Sequence, residues 1–149
     1  MAEAAVNPNL TADLSDPAQY KFWQEDHVRF GDLDVIGHVN NLAMGSYFEN
    51  ARVALLRKVF PNWPNGETLF VLVQTRFDYF YELNYPAQLR IGTRLLSFGR
   101  SSMRLGAALY HDTELVAQST TVSVLINQET RKPVAVPDDL RQEIIRLAG

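Results

Sequence analysis

The chain has 149 residues, of which 46% are hydrophobic and 21% charged, with a formal net charge of −3 and no cysteine. That size and mixture suit one globular domain with a real core, and the negative balance disfavours nucleic acid and anionic membranes. The absence of thiols excludes a cysteine nucleophile, disulfides and cysteine-held metals, and no apolar run approaches the ~20 residues that span a bilayer.

Residues 1–19, rich in Ala, Asn, Asp and Pro, read as a loose N-terminal arm, which leaves residues 20–149 as a single domain. Met1 to Asp16 has neither a basic n-region nor an apolar h-region, so no secretory leader is expected. With the missing cysteines, this points to a cytoplasmic protein. Trp23 to Phe30 reads as a strand that ends near Gly31. A turn of carboxylates, glycine, histidine and asparagine follows, from Asp32 to Asn41.

From Asn41 the period is helical. Met44, Phe48, Ala51, Leu55 and Val59 recur three or four residues apart. They predict a helix of about 18 residues, roughly 27 Å long. Tyr47, Ala54 and Leu56 widen the apolar face, so burial on most sides is expected. Asn40 or Asn41 serves as N-cap, Arg57 and Lys58 suit the negative end of the dipole, and Pro61 and Pro64 block continuation. The polar turn thus sits at a helix N-terminus, where free N–H groups favour negative charge.

After the loop at Asn62 to Glu67 the period becomes two. Strands are predicted over Leu69 to Tyr81, over Gln88 to Phe98, through Met103, Leu105, Ala107 and Leu109, and over Leu115 to Ile126. Tyr85-Pro86 breaks the first pair, and His111-Asp112-Thr113-Glu114 reads as a hairpin loop. Short connections imply antiparallel neighbours. Pro137 opens a terminal helix with Leu140, Ile144 and Leu147 on its apolar face. A sheet curled around one long helix would bury both apolar faces, an α+β architecture.

Three segments together carry a family resemblance: Val28-Arg29-Phe30-Gly31-Asp32-Leu33-Asp34, Gly37-His38-Val39-Asn40-Asn41 and Tyr47-Phe48-Glu49-Asn50-Ala51-Arg52. The pattern resembles the hot-dog fold acyl-CoA thioesterases of the 4-hydroxybenzoyl-CoA thioesterase-like group, over roughly Phe22 to Pro137. The resemblance implies an antiparallel sheet wrapped around a central helix. It implies hydrolysis of acyl-CoA or acyl-carrier-protein thioesters in a homodimer or homotetramer, with sites where protomers meet. It implies no cofactor beyond the coenzyme A carried by the substrate. It assigns the catalytic carboxylate to Asp34 and the oxyanion donor to the backbone N–H of Asn41. Met44 departs from the aromatic residue often found at its position. The family binds the nucleotide near loops that correspond to Arg100-Ser101-Ser102 and Arg131-Lys132, whose guanidinium, ammonium and hydroxyl groups suit phosphate.

Thioester hydrolysis needs a polarised carbonyl, a nucleophile and a departing thiolate. Asp34 could act as general base on water or attack directly; the sequence leaves both open. Asp32 reads as a residue that orders the turn. Gly37 supplies an unusual φ or a close backbone approach. His38 is a second base or an orienting group, and Glu49 a satisfied carboxylate or a water-positioning group. There is no phosphate-binding Gly-Lys loop, no Gly-x-Ser-x-Gly elbow and no zinc-binding His spacing, so metal and serine-triad chemistry are not expected. Two rivals stand: an acyl-thioester hydratase or dehydratase, for which His38 is the only nearby histidine, and a non-catalytic acyl-CoA-binding protein.

Overall fold

The computed structural model describes residues 13–149. Strands β1 (Phe22–His27), β2 (Thr68–Tyr79), β3 (Gln88–Phe98), β4 (Ser102–His111) and β5 (Glu114–Asn127) form one antiparallel sheet in the order β1-β3-β4-β5-β2. Helix α1 (Asn41–Val59) lies across one face, and α2 (Asp138–Ala148) closes one end. The β4–β5 hairpin turns at Asp112, whose φ of 53° is one that Asp tolerates.

Alternation along the strands decides what meets the helix. Leu89 and Ile91 of β3, Leu109 of β4 and Ala117 of β5 pack with Met44, Tyr47, Phe48 and Ala51 on the first half of α1. Met103, Leu125 and Phe70 pack with Leu55 and Leu56 on its second half, where Ile144 and Ala148 of α2 complete the cluster. Leu42 and the charged residues Arg57 and Lys58 stay exposed, so α1 is buried on one broad face rather than on most sides.

Element ends differ slightly from the expected ones. β1 stops at His27 instead of reaching Phe30, because the Val28 N–H turns to the Ala87 carbonyl (2.9 Å) and residues Phe30–Asp32 wind into a 3-10 turn. β2 stops at Tyr79, since the N–H groups of Phe80 and Tyr81 both turn to the Val116 carbonyl.

The arm expected over residues 1–19 is a larger departure. Residues 1–12 lie outside the described part, but residues 13–19 are held against the outer face of the sheet. Leu14 is buried, the Tyr20 hydroxyl donates to its carbonyl (2.7 Å), and the Tyr110 hydroxyl donates to the Ser15 carbonyl. Gly92 permits this packing: a Cβ there would lie 2.6 Å from the Tyr20 ring. We expect Gly92→Ala to destabilise the fold by about 1–3 kcal/mol, the usual cost of overpacking, measured as a lower urea midpoint; an unchanged midpoint would mean that Tyr20 does not occupy this position.

Candidate active site

Each expected feature of the turn has a local cause. Asp32 is the structural aspartate. Its Oδ2 accepts the Arg29 N–H (2.9 Å) and the hydroxyl of fully buried Tyr47, and its carbonyl accepts both the N–H and the side-chain amide of Asn40. Asn40 is the N-cap of α1, with Oδ1 accepting the Ala43 N–H at 2.8 Å. Burial, and then the bond to Asp32, pushes the Tyr47 phenol well above its ordinary pKa, so it stays protonated as a donor.

Asp34 is differently placed. The loop closes on itself through Asp34 N–H to the His38 carbonyl (2.8 Å) and Gly37 N–H to the Asp34 carbonyl (3.1 Å). One carboxylate oxygen, Oδ1, accepts the N–H groups of Ile36 (3.0 Å) and His38 (3.2 Å). The other, Oδ2, has no partner among the described residues. Gly37 adopts a φ of 83° with open space at its Cβ, so it serves the turn rather than a close approach.

Asp34, His38 and the start of α1 share one cleft of about 330 Å³. Met44, Tyr79 and Tyr81 provide apolar wall, and Asn41 forms part of the lining. As the first residue of α1, Asn41 has no intrahelical acceptor for its N–H. That N–H lies at the positive end of the α1 dipole, in the turn of helix that borders the cleft. Glu82 lines the same cleft, with its Oε2 3.2 Å from Nε2 of His38. Sequence reasoning missed Glu82, because nothing in the local pattern links it to a histidine 44 positions earlier.

Other expected site residues lie elsewhere in the single chain. Glu49 is exposed on α1 and pairs with Arg52 at 3.4 Å, outside the cleft. Arg100, Ser101 and Ser102 form the β3–β4 turn, and Arg131 and Lys132 follow β5. Both loops sit at the opposite end of the sheet from Asp34, since β5 starts beside cleft residues Phe80 and Tyr81, whose N–H groups bond the Val116 carbonyl, and runs 14 residues in all toward the other end. The fold thus unites Asp34, His38 and Asn41, but leaves Glu49 and the phosphate-binding candidates apart within one protomer.

This arrangement belongs to a known class. Residues 28–144 match the thioesterase-like superfamily, and the chain is a member of it, a thioester hydrolase with the hot-dog fold. Among its relatives are the Bacillus subtilis protein YsmA, 27% identical over 85% of this chain and 86% of that protein, and a 1,4-dihydroxy-2-naphthoyl-CoA hydrolase from Synechococcus elongatus, 28% identical over 83% of this chain and 93% of that enzyme. A Thermus thermophilus thioesterase complexed with coenzyme A and Zn is 31% identical, with a TM-score of 0.77, over 87% of this chain and 95% of that one. No helix among the described residues is long and apolar enough to cross a membrane.

Proposed function

We propose that the chain hydrolyses acyl-CoA thioesters with Asp34 as the reactive carboxylate and the Asn41 N–H as oxyanion donor, in a homodimer joined along β2. The observation that carries this is the pairing, in one cleft, of a carboxylate and a helix-start residue, with one oxygen of the first and the N–H of the second unpartnered among the described residues. Asp34 takes a proton from water, the hydroxide oxygen bonds to the carbonyl carbon, and the negative charge moves to the oxygen facing Asn41. Collapse expels coenzyme A thiolate, which is a good leaving group and takes up the proton held on Asp34, and leaves the free acid with the Asp34 carboxylate restored. Direct attack by Asp34 to give an anhydride uses the same placement. An aligned donor contributes about 3–4 kcal/mol to such a transition state. No metal or further cofactor is needed for these steps.

Coenzyme A as the carrier is supported by the naphthoyl-CoA hydrolase and by the coenzyme A complex of the Thermus thioesterase. The aromatic lining of Tyr79, Phe80 and Tyr81 suits an aryl acyl group. The dimer is supported by the edge of the sheet: among the described residues β2 pairs only with β5, and Leu72 to Arg76 are all exposed along it. A long unprotected edge of this kind invites a second strand.

The deciding experiment follows thiol release from a panel of acyl-CoA and acyl-carrier-protein thioesters that differ in length and aromaticity. Turnover is expected with CoA thioesters, strongest for aryl groups. Saturable binding without thiol release would overturn the reading. A second reading has one observation in its favour: the His38–Glu82 pair is the kind of histidine–carboxylate partnership that hydrating an enoyl thioester requires. Loss of the conjugated alkene of an enoyl-CoA, with no free thiol formed, would support it.

A further inference from the structure

We propose that Trp63 acts in trans: Trp63 of the partner subunit forms the far wall of the Asp34 cleft and sets its selectivity for the acyl group. The inference rests on the β2-edge dimer proposed above and adds to it a register and a residue.

The register comes from two features that share one centre. The exposed run of β2, Leu72 to Arg76, is centred on Gln74. Two open concavities flank the same strand. The Asp34 cleft abuts it through Tyr79, its last residue, and the following Phe80 to Glu82. A second pocket, of about 180 Å³, abuts it through Gly66 to Thr68, at its N-terminal end, and is walled by Val59, Phe60 and Trp63. Thr68 and Tyr79, the two ends of β2, lie six and five residues from Gln74, and the bulge between Leu72 and Gln74 takes up the difference.

Two antiparallel copies of one strand pair about a two-fold axis, which sets each residue opposite one equally far beyond the centre. With the axis at Gln74 and the bulge residue Val73 discounted, Tyr79 at one end of β2 faces the partner's Thr68 at the other, and the partner's apolar pocket opens onto the Asp34 cleft. The chemistry of the two halves matches. Ile36, Phe80 and Tyr81 are large apolar residues left exposed around the cleft, and Phe60 and Trp63 offer apolar wall to meet them. The same operation moves the partner's Arg131 and Lys132 toward this cleft, because Gln128 ties the two loops together through bonds to the Pro64 (2.7 Å) and Gly66 (2.6 Å) carbonyls. That accounts for phosphate-binding candidates lying far from Asp34 within one chain.

The chain has no cysteine of its own, so the register can be read directly. Gln74→Cys is expected to give a covalent dimer on mild oxidation, since directly opposed Cα atoms in an antiparallel pair fall within disulfide range; a chain that stays monomeric on a non-reducing gel overturns the register. Trp63→Ala is expected to shift the aryl-over-alkyl ratio of kcat/KM by about tenfold or more, and an unchanged ratio overturns the role. Co-expression with two affinity tags then gives mixed dimers of Asp34→Asn and Trp63→Ala subunits. If Trp63 acts in trans, one site of each mixed dimer carries both Asp34 and Trp63, and wild-type selectivity returns. If only Trp63→Ala selectivity is seen, the proposal is wrong. If the wild-type protein released no thiol at all, the hydrolase reading would fall alone: the covalent dimer still reports the register, and fluorescence of Trp63 in a Trp23→Phe background, with or without acyl-CoA, still reports the contact.

Discussion

Asp34→Asn should fold like the wild-type protein and lose a factor of about 10²–10⁴ in kcat, the span assigned to a positioned proton-transfer group. The substitution separates two jobs of one side chain. Oδ1 holds the loop by accepting the N–H groups of Ile36 and His38. An asparagine oxygen can accept both bonds, so the turn and the entry into α1 keep their geometry. The remaining oxygen, which meets no donor among the described residues, is replaced by an amide nitrogen that can neither accept a proton nor attack carbon. Asp34→Ala removes both jobs and should also lower thermal stability, whereas Asp34→Asn should not. Steady-state thiol release with matched unfolding curves makes the comparison. An Asn variant with near-normal kcat would remove Asp34 from the chemistry, and one that unfolds early would make it a structural residue.

The split between what was legible in the sequence and what was not follows from the range of the interactions. α1 and the strands were legible because each is fixed by its own periodicity: Met44, Phe48, Ala51 and Leu55 mark a helix face without reference to anything distant. Asp32 was readable as a turn residue because its Arg29 and Asn40 partners are close in sequence. The clasp of residues 13–19 was not readable, since Leu14 and Tyr20 are isolated apolar residues in a polar stretch. The faint signal lay in the strands they cover: Gly92, Gly106, Ala108 and Tyr110 are small or aromatic on the face turned away from α1, where a solvent-exposed face would be polar. The position of Arg100 and Arg131 depends on which end of the sheet each loop occupies. That is a property of the order β1-β3-β4-β5-β2, which no local pattern encodes.

The second large effect belongs to Asp32, and it should be seen in stability and activity together. Its Oδ2 is the acceptor for the Tyr47 hydroxyl, and Tyr47 is fully buried against the sheet. Asp32→Ala therefore leaves a buried hydroxyl without a partner, at a cost of about 1–3 kcal/mol, and also frees the Arg29 N–H. The bonds that Asn40 donates to the Asp32 carbonyl then lose their anchor, so the N-cap and the start of α1 shift at the edge of the cleft, and activity should fall if the Asn41 N–H is the oxyanion donor proposed above. Tyr47→Phe removes the hydroxyl instead of stranding it and should cost less than Asp32→Ala, with most activity kept. A pH series gives an independent check. The phenol pKa is raised in the fold, first by burial and then by Asp32. Its contribution to stability is thus complete below the ordinary tyrosine pKa near 10 and declines as pH climbs toward the raised folded value. Wild-type protein should lose stability more steeply than Tyr47→Phe above about pH 10. Equal alkaline slopes, or an Asp32→Ala variant no less stable than Tyr47→Phe, would show that this buried pair does not hold the Asp32–Asn41 turn on the helix.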